Sequence, residues 1–211
     1  MMRYLTASIL LFFSVASAAA QMRYEVIGDT LYFNILGEEP GYELTGQIES
    51  YDVRLLAEYL FEHPDIRALN ITGPGGNMAA ALDMAKDLAD HDIDTIASGK
   101  CLSACTLVFL GGQKRSLADD ARLGFHRQWV NGKNHQKIYK QYKDVVGWKD
   151  EFEYLMTTYD ELVLELVDQL EFAINRGVSV SFVLKTLSIE VTDMWFPSRN
   201  ELATVGYITD W

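Results

Sequence analysis

The sequence predicts an α/β domain with a largely parallel sheet, followed by a long C-terminal helical region. Three observations lead there. Short β-branched and aromatic runs alternate with helical periodicities through the first 125 or so residues, which is the pattern of strand-helix units. Glycine-rich or polar turns follow the strands, where such sheets place their sites. Beyond residue 150 an unbroken i, i+3, i+4, i+7 stripe sets in.

Taken in order, Thr30 to Ile35 (TLYFNI) and Tyr42 to Ile48 (YELTGQI) predict strands. Asp52 is the candidate N-cap of a helix whose Val53, Leu56, Ala57 and Leu60 recur at helical spacing up to His63-Pro64. Ile66 to Ile71 alternates as a strand and ends in Thr72-Gly73-Pro74-Gly75-Gly76, a stretch fit only for a special turn. A helix follows from Met78 to Ala89, with Leu82, Ala85, Leu88 and Ala89 inward. The unit then repeats: Ile93 to Ala97 is a short strand, Gly99 to Ser103 a turn, and Ala104 to Leu110 a helix apolar on all sides. Arg122 to Phe125 predicts another strand, with His126 directly after it. After a polar turn at Asn131 to Asn134 the chain turns helical. Phe152, Leu155, Met156, Tyr159, Leu162, Val163, Leu166, Val167 and Leu170 carry the stripe toward Gly177. That stripe suits a second subunit of a homo-oligomer as well as the chain's own core, and spacing does not separate the two.

The 211 residues, 49% of them hydrophobic, supply one core and not two, so residues 21–211 are expected to form a single domain. Residues 1–20 combine a basic start at Arg3, an apolar run from Leu5 to Val15 and small residues at Ala16, Ala18 and Ala20, the pattern of a secretory signal peptide. The rival reading is a retained anchor, but the run falls short of the roughly 20 residues a bilayer crossing needs. No later segment is apolar for long enough, so no membrane span is expected after signal removal. The formal charge is −12; removing Arg3 with the signal leaves 17 basic against 30 acidic residues, or −13. Such a surface repels nucleic acid and anionic lipid. Export to a periplasmic or secreted location is therefore expected, and it bears on the only two cysteines. Cys101 and Cys105 lie four apart across a strand-to-helix turn, which can bring their Cα atoms to about 5–6 Å and suits a disulfide in an oxidising compartment. A zinc site of Cys101, Cys105 and His126 fits no common spacing, and no metal or cofactor is expected.

Three features fall at strand ends: the Gly75-Gly76 turn, Ser103 and His126. A serine hydrolase needs a nucleophile, a base to take its proton, an acid to orient the base, and N–H groups aimed at the developing oxyanion. Ser103 sits in GKCLSACT, a strand-turn-helix context like that of G-x-S-x-G with Cys101 and Cys105 in place of the glycines. The plain alternative is a serine that caps the helix at Ala104. Phosphate is the rival use of the glycine turn, which lacks the lysine and hydroxyl of a P-loop.

Together these features resemble the Clp protease proteolytic subunit and the wider Clp-protease/crotonase-like superfamily of repeated ββα units. Leu44-Thr45-Gly46-Gln47-Ile48, Pro74-Gly75-Gly76, Ser103, Leu110-Gly111-Gly112 and Phe125-His126 stand in that family's order. The resemblance covers roughly Tyr42 to Arg127. It implies Ser103 as nucleophile, His126 as general base, and the N–H groups of Gly75, Gly76 and Ala104 as the oxyanion hole. It places the third member near Thr192-Asp193-Met194-Trp195, so Asp193 is the implied orienting acid, with Glu190 and Asp144 as competitors. Cys105 departs from the glycine usual two positions after the serine. The implied activity is an exported, ATP-independent serine peptidase acting on peptides or small flexible proteins, since an exported chain meets no ATP-driven unfoldase. The alternative is an inactive member of the same fold acting as a binding or scaffold protein.

Overall fold

The computed structural model describes residues 22–41, 45–129 and 132–210. The expected signal peptide lies outside them, as do residues 42–44 of the second expected strand.

β1 (Tyr24–Ile27) and β2 (Thr30–Asn34) form an antiparallel hairpin, Tyr24 pairing with Phe33 and Ile27 with Thr30. The expected strand over Tyr42 to Ile48 is not formed by its described part: Ile48 makes a single bridge to Gly76 and residues 45–47 pair with nothing as a strand. α1 (Ser50–Glu62) begins at Glu49, not at Asp52. Asp52 is instead wholly buried and holds Arg23, with Nε to Oδ1 at 2.9 Å and Nη2 to Oδ2 at 2.6 Å, while Tyr24 donates to Oδ1 at 3.1 Å. Arg23 also donates to the Gln47 carbonyl at 2.7 Å. A buried pair of this kind is costly to break, about 3–5 kcal/mol when one partner is removed. Its placement ties the segment before α1 to β1.

β3 (Ala68–Gly73) lies parallel to β2, and α2 (Met78–Asp90) follows the glycine turn with Asn77 as its cap. β4 (Asp94–Leu102) runs parallel to β3 and five residues past its expected end at Ala97. α3 (Ala104–Leu110) is buried on every residue, as its composition predicts. β5 (Arg115–Leu117), which no sequence signal marked, and β6 (Arg122–Gly124) both pair parallel with β4. Among the described residues the sheet has six strands in the order β1-β2-β3-β4-β5, with β6 also on β4. It is parallel throughout except for the hairpin.

One irregularity in β4 places the site. Ile71 of β3 pairs with Ala97, yet Gly73, two residues on, pairs with Cys101, four residues on. The extra residues swing the end of β4 away from β5: Thr95 to Ala97 pair with β5, whereas Lys100 to Leu102 pair with β6. A bulge bends its strand and re-aims the residues after it. Here it delivers Ser103 beside the end of β6, two residues before His126.

α4 (Gly132–Val146), α5 (Glu151–Asn175), α6 (Val180–Ser188) and α7 (Arg199–Thr204) complete the seven helices among the described residues. The long helical region is thus broken at Gly147 (φ 87°). The apolar stripe of α5 does not enter the core over its first half: Phe152 is 69% exposed and Tyr159 60%. Its C-terminal half packs on the core through Leu170 and Ala173, whereas in the first half Tyr154 is buried against Tyr139 and Trp148.

Candidate active site

The two turns that end β3 and β4 lie against each other. Gly75 and Gly76 have φ values of 93° and 152°, and a Cβ on Gly75 would stand 2.5 Å from the Leu102 carbonyl oxygen and 2.7 Å from the Ala104 nitrogen. Only glycine permits this approach. The segment after the glycines is fastened from outside, Ile48 donating to the Gly75 carbonyl at 2.8 Å and Asn77 to the Ile48 carbonyl at 2.9 Å. Among the described residues no hydrogen bond uses the N–H of Gly75, Gly76 or Ala104. These donors stay available close to Ser103.

Ser103 has φ 53° and ψ −126°, a conformation that costs a non-glycine residue of order 1–3 kcal/mol. Asp92 is the other described non-glycine residue with positive φ, but it lies in a surface turn, where aspartate tolerates that region. Ser103 stands at the cap position of α3 and its hydroxyl makes no capping bond. Its backbone carries the junction instead, the N–H donating to the Gly124 carbonyl at 2.8 Å and the carbonyl accepting from the Thr106 N–H and hydroxyl at 2.9 and 2.7 Å. The capping alternative therefore fails, and the Oγ is left for other use.

Gly124 leads through Phe125 to His126. Phe125 is clamped by reciprocal backbone bonds with Trp195, both 2.9 Å. The Nδ1 of His126 lies 2.8 Å from the Arg127 carbonyl, so Nδ1 carries the proton and Nε2 is left as the basic nitrogen. Ser103 and His126 share the walls of two adjoining spaces. One is an open cleft of about 710 Å³ lined also by Gly75, Gly76, Trp129 and Glu165. The other is an apolar pocket of about 100 Å³ reaching between α3, α5 and α6 to Leu107, Phe125, Leu166 and Phe182. Among the described residues no hydrogen bond joins Ser103 to His126, and no group of three or more histidine, cysteine or acidic side chains is set to hold a metal.

Cys101 and Cys105 form a disulfide with Cα atoms 5.3 Å apart, as expected from their spacing. It straddles Ser103 from below. Both cysteines are fully buried and neither lines the cleft or the pocket, so Cys105 leaves the approach to Ser103 open.

The expected acid is not brought to the histidine. Asp193 is exposed, its N–H bonds the Glu190 carbonyl at 3.0 Å, and no bond links its carboxylate to His126. The Trp195–Phe125 bridge holds that segment to the site by its backbone two residues later, and the position facing Nδ1 is taken by a carbonyl. Glu190 pairs with both terminal nitrogens of Arg127, and Asp144 is exposed on α4. Two other carboxylates do line the cleft, Glu49 at the start of α1 and Glu165 of α5, and Glu165 is the one held by neighbouring amides. Its Oε1 accepts from Gln128 at 3.1 Å and from Gln169 at 2.9 Å, and burial pushes its pKa above the usual carboxylate range against these two bonds. The sequence signal for it was a pair of polar residues, Glu165 and Gln169, interrupting the apolar row Leu162, Leu166 and Leu170.

Neither the family models nor the curated proteins compared with this chain match it.

Proposed function

We propose that the chain is an exported serine hydrolase, an ATP-independent peptidase built as a member of the Clp-protease/crotonase-like superfamily. The observation that carries this reading is the backbone of Ser103, strained at a helix start where the hydroxyl makes no structural bond, beside an imidazole whose Nε2 is unoccupied. The family reading is supported by the order of its parts: glycine turn after β3, serine after β4, histidine after β6, on a largely parallel sheet.

In this mechanism His126 Nε2 takes the Ser103 Oγ proton as Oγ adds to the scissile carbonyl. The oxyanion is met by the N–H groups of Gly76 and Ala104, with Gly75 shaping the turn. His126 then returns the proton to the leaving amine as the C–N bond breaks, leaving an acyl group on Oγ. A water gives its proton to His126 as it adds to the acyl carbon; the bond from that carbon to Oγ then breaks, and His126 returns the proton to Oγ, releasing the acid and regenerating Ser103. The Arg127 carbonyl does the orienting that Asp193 was expected to do, making a serine–histidine dyad. The apolar pocket beside Ser103 takes the side chain on the acyl side, which favours a modest apolar residue there. Export is supported by the disulfide and by the amino-terminal pattern, and no helix among the described residues is long and apolar enough to cross a membrane.

A binding or scaffold role is favoured by one observation, the missing bond between Ser103 and His126, although such bonds are often long before substrate arrives. Labelling the purified mature protein with a fluorophosphonate separates the two. The hydrolase predicts labelling that Ser103→Ala abolishes and His126→Ala slows by about 10²–10⁴-fold. Labelling absent from the wild type, while a control hydrolase reacts, leaves the binding protein.

A further inference from the structure

The pocket proposed for the acyl side is apolar, but the open cleft that adjoins it at Ser103 and His126 is not. Among the described residues that line it stand two carboxylates, Glu49 and Glu165, and no lysine or arginine. Glu49 is engaged at the start of α1, where its side chain takes the Asp52 N–H and the Thr45 hydroxyl. Glu165 is different. Both amides that reach it converge on one oxygen: Gln128 and Gln169 donate to Oε1, and Gln169 Nε2 also lies 3.4 Å from Gln128 Oε1. Gln169 is buried, so this small network fixes the carboxylate rotamer. Oε2 takes no hydrogen bond from the described residues.

A half-buried carboxylate with one oxygen anchored and the other unused is arranged to receive a donor from outside the chain. Charge-assisted bonds to ammonium or guanidinium are the strongest a carboxylate makes. Trp129, 58% exposed, lines the same cleft, and its ring face offers a second attraction for a cation. Gln128, which donates to Glu165, borders the cleft and the apolar pocket alike.

We infer that Glu165 is a specificity residue: its free oxygen, with Trp129, forms a subsite for a cationic group of the substrate, a lysine or arginine side chain or a free amino terminus, close to the bond that Ser103 attacks. This rests on the hydrolase reading for the word substrate, but the subsite itself is a matter of binding. Desolvation of the Glu165 carboxylate agrees with it, because a cation arriving there restores the partner that burial removed. A net charge of −12 over the whole chain draws cationic peptides toward the cleft.

The test uses the Ser103→Ala mature protein, so that binding is read without turnover. Calorimetric titration compares the acetylated hexapeptide amide Ala-Lys-Ala-Leu-Lys-Ala with versions carrying norleucine or glutamate in place of both lysines. The lysine peptide is expected to bind about tenfold more tightly than the norleucine peptide, and the glutamate peptide more weakly than either. Adding Glu165→Gln brings the lysine-to-norleucine ratio to about one, and Glu165→Lys turns the preference toward the glutamate peptide. Equal binding of the lysine and norleucine peptides, no binding of any peptide, or a lysine preference that survives Glu165→Gln overturns the inference. Fluorophosphonate labelling of Ser103 reads the hydrolase proposal separately, so either can fail while the other stands.

Discussion

The junctions β3–α2 and β4–α3 have the same plan, a parallel strand running through a turn into a helix, and they treat the helix start in opposite ways. At the first, Asn77 has a relaxed extended backbone (φ −66°, ψ 120°) and its side chain accepts from Ala80 at 3.0 Å. At the second, Ser103 is held at φ 53° and its side chain caps nothing. Asn77 uses its polar atoms to stabilise α2, whereas Ser103 adopts an unfavourable backbone and keeps its hydroxyl free. That contrast separates a residue that stabilises its helix from one whose side chain adds nothing to the helix start. The buried α3 helix and the disulfide below Ser103 supply the rigidity that lets the strain persist.

Four measurements would sharpen or break the contrast. The largest effect is expected at the glycine that lets the junctions meet. Gly75→Ala drives a Cβ into the Leu102 carbonyl and the Ala104 N–H from a positive φ, and should lower unfolding free energy in urea by about 3 kcal/mol, with fluorophosphonate labelling lost as well. Next comes the clasp. Replacing Cys101 and Cys105 together by alanine removes a five-residue loop constraint, about 2 kcal/mol by loop-closure entropy, and should show as a fall in thermal midpoint with slower labelling of Ser103. An unchanged labelling rate would mean that α3 packing alone holds the turn.

The paired caps come third. Asn77→Ala should cost about 1 kcal/mol, whereas Ser103→Gly should be neutral or stabilising by up to about 1 kcal/mol, because glycine accepts the backbone that serine resists. If Ser103→Gly instead destabilises as much as Asn77→Ala, the two junctions are alike and the strain has no functional meaning. The smallest effect is in the pH dependence. Burial raises the Glu165 pKa, so the folded state holds that proton more tightly than the unfolded chain does. Stability from this group is therefore present at low pH and declines as pH rises from the ordinary carboxylate range, about 4.3, through the raised value. Thermal midpoints followed from pH 4 to 7 should fall less in Glu165→Gln than in the wild type; equal slopes would show that Glu165 is solvated like a surface carboxylate.

The sequence was most informative where structure is local. The helices at residues 78–90 and 104–110 and the strands β2 and β3 follow from periodicity, and the disulfide follows from two cysteines at one turn. Reading failed where a distant partner decided. β1 and β5 are only four and three residues long, and their strand state depends on β2 and β4 beside them. Asp52 looks like a helix cap, yet a buried arginine 29 positions earlier claims it and the cap moves to Glu49. The stripe of α5 left its own core and a partner subunit equally open; the structure exposes its first half and packs its end, at Leu170, against the core.

The site divides in the same way. The placing of Ser103, His126, Gly75 and Gly76 close together was legible because each follows the end of a strand, and the ends of neighbouring parallel strands lie together in any such sheet. The partner of His126 Nδ1 was not. Whether Nδ1 of His126 meets Asp193 or a carbonyl depends on how the 190–197 segment docks; here Nδ1 meets the Arg127 carbonyl and Asp193 is exposed. By itself the sequence determined the α/β alternation, the cysteine pair and the order of the chemical groups, since these need only neighbouring residues. The tertiary structure decided the bulge that turns Ser103 toward His126, the burial of Asp52, and the presence of Glu165 in the cleft. Those depend on contacts between residues far apart in the chain, for which local periodicity carries no signal.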